Sequence, residues 1–186
     1  RVENVGPKVS SELLNAGLLA ISLSLAAMLI YIWIRFEWQF SLGAILALIH
    51  DVVITVGIFS FLSYEVNLSI VAAVLTIVGY SMNDTVVIFD RIRENLRKYS
   101  KISISEISNI STNETLSRTL ITSVTTLLAL FSIYIFGGAI LKGFSFAMIV
   151  GVIVGTYSSI FVATPVLNYT KVNQKTIIKK DENLKS

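Results

Sequence analysis

The sequence predicts an all-α membrane protein, a bundle of five transmembrane helices. Of its 186 residues, 54% are hydrophobic and 15% are charged, whereas about 25% of the residues in a soluble domain are charged. Apolar runs of about 20 residues recur along the chain, and each is long enough to cross roughly 30 Å of hydrocarbon. The chain has no cysteine, which excludes disulfides, thiolate nucleophiles and cysteine-based metal sites.

Five spans follow one another along the chain. They lie near residues 13–34, 40–63, 68–90, 118–136 and 143–169. Short polar turns at residues 35–38 and 64–67 join the first three spans. Gly137 and Gly138 are predicted to stop the fourth helix, because glycine commonly ends helices.

Basic residues predict the orientation, because cytoplasmic segments of membrane proteins are rich in lysine and arginine. The linker at residues 91–117 and the tail at residues 171–186 carry most of them: Arg91, Arg93, Arg97, Lys98, Lys101, Lys171, Lys175, Lys179, Lys180 and Lys185. The turn after the second span has none, and the turn after the fourth has only Lys142. The linker, the tail and the turn at Arg35 are therefore predicted to be cytoplasmic, and the N-terminus to lie outside.

The chain divides into three parts by composition. Residues 12–170 form the predicted transmembrane domain. Residues 1–11 are interpreted as the remnant of an exported region of a longer chain, because the sequence starts at Arg1 and shows no signal-peptide pattern. Residues 171–186 are interpreted as a disordered, lysine-rich tail that anchors the topology, in preference to a specific binding tail.

The linker at residues 91–117 is too polar to cross a membrane. Two segments in it fit a capping box, in which a serine at a helix start is followed three residues later by glutamate. They are Ser103 with Glu106, and Ser111 with Glu114. These boxes predict one or two short helices on the cytoplasmic surface.

Polar and ionisable side chains occur inside three of the predicted spans. Each charged group costs roughly 2.5–3.5 kcal/mol near the bilayer centre and therefore needs a reason. The second span carries His50 and Asp51, the third carries Asn83 and Asp84, and the fourth begins with Arg118. Because the third span runs inward and the fourth outward, Asp84 and Arg118 both fall in the cytoplasmic half and are predicted to meet.

Polar side chains also follow the helical period on two spans. The third span shows Thr76, Tyr80 and Asn83, and the fourth shows Arg118, Thr122, Thr125 and Ser132. Lipid cannot satisfy such a stripe, so each stripe must face protein or a water-filled cavity. The two stripes are predicted to face each other.

Two interpretations of Asp84 and Arg118 are open. They form either a protonatable relay that includes Asn83, or a static ion pair that only fixes helix packing. The relay is favoured, because buried ion pairs contribute little to stability. Thr122 and Tyr80 are accessory polar groups in this hypothesis.

The remaining polar groups in the spans carry weaker predictions. For His50 and Asp51 the structural and the functional interpretations are balanced. Asp90, at the end of the third span, is interpreted as a surface charge. A single histidine and scattered acids lack the spacing of metal ligands, so no metal site is predicted.

Small residues recur every four positions on the fifth span, at Ala147, Gly151, Gly155 and Ser159. Such a ridge allows close approach of helices. Gly43 and Ala47 on the second span form a similar pattern. Packing is the favoured role of both ridges, ahead of a direct role in transport.

Seven sequence blocks, in this order and spacing, resemble the SecF family. They are VGP at 5–7, FEW at 36–38, ALIHDV at 47–52, GYSMNDT at 79–85, DRIREN at 90–95, SRTLITS at 117–123 and FGG at 136–138. As a set they distinguish SecF from SecD and from other members of the resistance-nodulation-division superfamily.

The resemblance implies spans two to six of a six-span SecF-like unit, whose first span and exported domain precede this chain. It implies a translocase subunit of the bacterial inner membrane, not an enzyme, that uses the proton-motive force to help export proteins. The implied partners are SecD, the SecYEG translocon, YajC, the exported unfolded polypeptide and membrane lipids, with no nucleic acid.

The resemblance also assigns residues by position. Asp84 matches an intramembrane aspartate of the family and Arg118 an arginine, both implicated in proton passage. Asn83 lies in the same block as Asp84, and His50 and Asp51 match another block. No cofactor is implied, and protons serve as the coupling ion.

Three other functions are kept as alternatives. They are a drug or lipid exporter of the same superfamily, a scaffold subunit that does not pump, and, ranked last, an intramembrane protease, for which the sequence shows no catalytic pair.

Overall fold

The computed structural model describes residues 7–63, 68–99, 102–170 and 172, and every element within them is helical. The elements are α1 (Pro7–Arg35), α2 (Trp38–Phe61), α3 (Leu68–Lys98), α4 (Ile104–Phe136), α5 (Gly138–Ser158), a π-helical segment (Ser159–Ala163) and α6 (Thr164–Tyr169). The last three elements follow one another without a break. The predicted turn at residues 64–67 and the lysine-rich tail, apart from Val172, lie outside the described residues.

Five helices are long and apolar enough to cross a membrane, counting α5 to α6 as one, and this confirms the predicted bundle of five spans. The candidate spans are Asn15–Arg35, Trp38–Phe61, Ser69–Lys98, Ile104–Phe136 and Gly138–Tyr169. α5 lies at the centre of the bundle, in contact with α2, α3 and α4, while α1 packs against α2 and α3.

The polar linker predicted at residues 91–117 consists instead largely of extensions of α3 and α4. α3 runs to Lys98 and α4 begins at Ile104. The segment contains no glycine or proline to end a helix, and the extensions are joined by side chains. Asn95 Nδ2 donates to Ser111 Oγ at 2.9 Å and to Glu114 Oε2 at 2.7 Å. Separate short surface helices are therefore a wrong prediction.

Only the first of the two predicted capping boxes caps a helix. Ser103 is the N-cap of α4, with extended backbone angles (φ −65°, ψ 151°), and its hydroxyl accepts from the Glu106 backbone N–H. Ser111 lies inside α4 and is buried against α3. Its capping box is wrong, because the helix has already started about two turns earlier, at Ile104.

Replacing Ser103 by alanine is expected to lower the free energy of unfolding by about 1 kcal/mol, because one backbone N–H at the start of α4 loses its acceptor. Ser105→Ala, at an exposed position of the same helix turn, is the matched control and is expected to change stability by less than about 0.5 kcal/mol. Denaturant titration in detergent micelles measures both. Equal effects of the two substitutions would contradict the assigned cap.

The connection between the fourth and fifth spans is formed by the glycine pair, as predicted. α4 ends at Phe136, and the Gly137 N–H donates to the Ile133 carbonyl at 2.7 Å. Gly138 has φ +73°, a left-handed conformation that a side chain would strain. α5 begins at Gly138, several residues before the predicted start near residue 143.

The π-helical segment Ser159–Ala163 interrupts the last span just before Pro165. Proline lacks an N–H and its ring clashes with the carbonyl four residues earlier in an α-helix. A wider π turn at this point relieves the clash. Thr164 Oγ1 donates to the Ser159 carbonyl at 3.0 Å, which satisfies one carbonyl of the widened turn.

Buried apolar side chains form two clusters along the bundle. The first includes Phe36, Phe40 and Phe89, whose ring centroids lie 5.1–6.1 Å apart. The second is built around Ile77 and Val152. α2 passes from the first cluster at Leu48 to the second at Phe59, and Asp51 lies between these positions.

The small-residue ridge predicted on the last span is buried, which confirms its role in packing. Gly151 lies against the Ile77 side chain and Gly155 against Ser81, both on α3. On α2, Gly43 lies against the backbone carbonyl of Ala163.

Candidate functional site

Asp84 is buried on α3, with 4% of its surface exposed. Its Oδ2 is enclosed and accepts no hydrogen bond from any described residue. The neighbours on the helix offer none, because Asn83 is exposed and Thr85 Oγ1 donates to the Ser81 carbonyl. One turn earlier, the Tyr80 hydroxyl is likewise buried and without a partner among the described residues. Two buried polar groups, from residues one helix turn apart, thus have unsatisfied hydrogen-bonding capacity, which is costly in an apolar surrounding.

Arg118 lies on the neighbouring helix α4, and its side chain is exposed. Among the described residues no ion pair joins Arg118 to Asp84. Because α3 and α4 pack against each other, the fold places Asp84 and Arg118 on adjacent helices, but the direct contact predicted between them is absent.

The two polar stripes lie on the open surface of the bundle and are not sealed against each other, so this part of the prediction is wrong. Thr76 and Asn83 on α3 are exposed, as are Arg118 and Thr125 on α4. The threonine hydroxyls donate to carbonyls of their own helices, for example Thr122 Oγ1 to the Arg118 carbonyl at 3.0 Å. Such bonds satisfy the hydroxyls without a facing helix.

Asp51 forms a second buried site, where α2, α3 and α5 meet. The residue is buried. Its Oδ2 accepts from Ser81 Oγ at 2.5 Å and from Ser158 Oγ at 2.8 Å. Its Oδ1 lies 3.0 Å from His50 Nδ1. Both oxygens have partners, in contrast to Asp84, and one carboxyl connects three helices.

A hydroxyl pair extends this buried polar layer towards Asp84. Ser159 Oγ lies 3.0 Å from Thr85 Oγ1 and also donates to the Gly155 carbonyl at 2.8 Å. Ser159 follows Ser158 in the chain, and Thr85 follows Asp84. The layer therefore reaches from the Asp51 site to the residue beside Asp84.

Two ion pairs join the turn between α1 and α2 to the C-terminal end of α3. Arg35 Nη2 donates to both carboxylate oxygens of Asp90, at 2.9 and 3.1 Å, and both side chains are partly exposed. This confirms Asp90 as a surface charge. Arg93 Nη2 lies 3.1 Å from Glu37 Oε1, and both of these residues are buried.

The comparisons with known proteins agree with this geometry. Residues 1–173 match the family model described as protein export membrane protein SecD/SecF, C-terminal. The chain belongs to the SecD/SecF family. The protein translocase subunit SecF of Cereibacter sphaeroides is 51% identical over 173 residues, which cover 93% of this chain and 53% of that protein. The SecF of Rickettsia bellii is 56% identical over 167 residues, which cover 90% and 55%. The chain thus spans about half the length of these SecF proteins.

Two solved structures of SecDF share the fold. The crystal structure of SecDF, a translocon-associated membrane protein from Thermus thermophilus, aligns with a TM-score of 0.85 and 44% identity, over 90% of this chain and 23% of that chain. SecDF in a super-membrane-facing form aligns with a TM-score of 0.77 and 40% identity, over 98% and 24%. The resemblance to SecF and the all-helical membrane fold are confirmed.

Sequence patterns located the acids of this SecD/SecF-family bundle but not their partners. The serines that hold Asp51 were missed, as was the pair of Glu37 with Arg93. A signal for the serines existed, since Ser158 and Ser159 extend the buried ridge of small residues and Ser81 lies three residues before Asp84. Within the described part of the chain, no three histidine or acidic side chains gather as metal ligands would.

Proposed function

We propose that this chain is part of a SecF-type subunit that couples the proton-motive force to the export of proteins across the bacterial inner membrane with the Sec translocon. Its identity of 51–56% with proteins named protein translocase subunit SecF supports this function, as does its likeness to SecDF. The observation that carries the coupling is Asp84, a carboxyl buried in a membrane span with one oxygen that no described residue satisfies.

In this proposal Asp84 binds and releases the proton, and Arg118 controls the exchange. A nearby guanidinium favours the charged form of a carboxyl, and its withdrawal favours the protonated form. Arg118 is exposed on the adjacent helix, so its long side chain has room to approach or leave. Asn83 and Thr122 line the open side and Tyr80 the buried side, where they assist transfer through water. A proton crossing 100 mV supplies about 2.3 kcal/mol, enough to bias a helix rearrangement.

The proposed assembly places protein against the open side of α3 and α4. Arg118 and Asn83 are exposed there, and lipid cannot satisfy them. In the proposal SecD covers this side, while SecYEG, YajC and the exported unfolded polypeptide complete the complex. No cofactor takes part, and the proton is the coupling ion.

The proposed orientation follows from the basic residues. The ion pairs of Arg35 with Asp90 and of Glu37 with Arg93 place the turn between α1 and α2 and the C-terminal end of α3 at the same end of the bundle. This end gathers most of the described arginine and lysine residues, which supports a cytoplasmic location. In the proposal the N-terminus lies outside and residues 171–186 lie in the cytoplasm.

The test measures export of a secreted protein into inverted membrane vesicles that contain the full-length subunit with SecD and SecYEG. Asp84→Asn keeps the size of the side chain and removes its titration, and it is expected to lower the gradient-stimulated part of export by at least about tenfold. Arg118→Ala is expected to do the same. Arg118→Lys keeps the charge without the guanidinium geometry and is expected to lie between these variants and the wild type.

Asp90→Asn is the matched control, because it removes an exposed acid of the same helix, and export is expected to stay unchanged. Gradient-stimulated export that survives in both Asp84→Asn and Arg118→Ala would show that the two residues form no relay. Failure of the full-length subunit to co-purify with SecD, combined with efflux of small molecules, would favour the exporter alternative.

A further inference from the structure

We propose that Asp51 is a second proton-binding group of the bundle, reached through His50, and that its protonation loosens the contacts of α2 with α3 and α5. The role of Asp51 in export rests on the proposed function, whereas the binding of a proton by Asp51 does not. It is carried by the geometry of a fully buried carboxyl held by side chains from three helices.

The two oxygens of Asp51 have different surroundings. Oδ2 accepts hydrogen bonds from Ser81 on α3 and Ser158 on α5, at 2.5 and 2.8 Å. An oxygen that already accepts two hydrogen bonds is poorly placed to carry a proton, so the proton binds at Oδ1. Oδ1 faces His50 Nδ1 at 3.0 Å. The charge of this one carboxyl therefore acts on two neighbouring helices at once.

His50 connects the buried oxygen to the surface of the bundle. Its side chain is 28% exposed, whereas that of Asp51 is 1% exposed. The ring of Tyr157 stacks on the imidazole with centroids 6.4 Å apart and an angle of 27°, which holds the ring in position. Nε2 takes up a proton as Nδ1 releases its own to Oδ1. The imidazole keeps one proton throughout, and the carboxylate becomes a neutral acid.

Few other titratable groups surround the site. Those on the elements that pack against this part of α2 are Tyr80 and Asp84 on α3 and Tyr157 on α5, while α1 carries Lys8, Glu12, Tyr31 and Arg35 towards its two ends. The π-helical segment has none. Within the described residues none of them hydrogen-bonds to Asp51, which leaves His50 as the group that exchanges its proton.

Loss of charge on Asp51 is expected to reach α5 through Ser158. Hydrogen bonds to an ionised acceptor are about twice as strong as neutral ones, so a neutral Asp51 holds Ser158 less tightly. Ser158 directly precedes the π-helical segment, and single π turns are frequent at functional sites. The next residue, Ser159, contacts Thr85 beside Asp84. The second site is therefore coupled through the chain to the first.

Infrared difference spectroscopy tests the binding of the proton. The full-length subunit with SecD is placed in lipid nanodiscs and titrated with acid. A protonated-carboxyl band that persists in Asp84→Asn is expected in the wild type. This particular band is expected to be lost in Asp51→Asn, in which a band of Asp84 remains. Asp90→Asn removes an exposed carboxyl and is the matched control that keeps the band. Ser158→Ala removes one donor to Oδ2 and is expected to shift the titration midpoint of this band, which keeps the test decisive if Asp51→Asn does not fold.

Hydrogen exchange tests the loosening of α5. In the wild type, amides of residues 155–164 are expected to exchange about fivefold to tenfold faster on the acidic side of the titration, after correction for intrinsic rates. In Asp51→Asn this dependence is expected to disappear. Identical carboxyl bands in the wild type, Asp51→Asn and Ser158→Ala would overturn the proton site. An Asp51 band that is not accompanied by faster hydrogen exchange of these amides at acidic pH would overturn the proposed loosening of α5.

Neither measurement requires export. A relay at Asp84 that fails in vesicles therefore leaves an observed Asp51 band standing, and loss of the Asp51 site leaves the proposed export function standing.

Discussion

Replacing Arg93 by methionine is expected to destabilise the bundle by about 3–5 kcal/mol, because it leaves the buried Glu37 carboxylate without its countercharge. Arg93 Nη2 and Glu37 Oε1 lie 3.1 Å apart, and the two side chains are only 9% and 4% exposed. Methionine keeps much of the bulk of arginine, so the effect reports charge more than packing. The Phe36 ring, 5.8 Å from the Arg93 guanidinium, remains in place.

Two further variants test whether the lost stability comes from the unpaired buried charge or from substitution in this region as such. Glu37→Leu combined with Arg93→Met removes both charges and is expected to recover most of the lost stability, because apolar replacements of a buried pair are often neutral or better. Arg35→Met breaks the partly exposed pair with Asp90 and is expected to cost less than about 1 kcal/mol. Denaturation by sodium dodecyl sulfate in mixed micelles measures all three. A double variant no more stable than Arg93→Met would contradict the buried-charge explanation.

Replacing Gly151 by alanine is expected to destabilise the bundle by about 1–3 kcal/mol, because the added methyl overpacks the contact between α5 and α3. A Cβ at this position would lie 2.2 and 2.3 Å from Cγ1 and Cδ1 of Ile77, so α5 and α3 must move apart or Ile77 must leave its rotamer. Gly151→Leu is expected to have a larger effect.

Gly143→Ala on the same helix is the matched control, since a Cβ there meets nothing within 4 Å. It is expected to be neutral or to stabilise by up to about 1 kcal/mol through helix propensity. Ile77→Ala makes room for the methyl that Gly151→Ala adds. It is therefore expected to destabilise the bundle less in the Gly151→Ala background than in the wild type. Thermal unfolding in micelles compares these variants with the wild type, and equal losses for Gly151→Ala and Gly143→Ala would refute the packing argument.

Features that depend on local sequence were predicted well. The five spans were found because the preference for lipid is summed over each segment of about 20 residues, and the glycine pair at Gly137 and Gly138 was found because it suits a helix end. The ridge through Gly151 was found because helical periodicity identifies one face of a helix, and small residues on a face indicate packing.

The wrong predictions share a physical cause. Residues 91–117 were expected to form separate short helices on polarity alone, although helices continue through polar sequence wherever another helix satisfies one face, as Asn95 does with Ser111 and Glu114. The polar stripes were expected to close on each other because hydroxyls need partners. The threonines found these partners in their own helix, as Thr122 does with the Arg118 carbonyl.

The sequence by itself determined that the chain is a bundle of five spans with acids in two of them, because solvation by lipid acts on each segment separately. Only the tertiary structure decided which acid is satisfied. Ser81 and Ser158, 30 and 107 residues from Asp51, both donate to its carboxylate, whereas Asp84 keeps an oxygen that no described residue reaches. Hydrogen bonds between distant residues depend on how each helix is rotated and how closely it packs, and the close approach of Gly155 to Ser81 sets both where α3 meets α5.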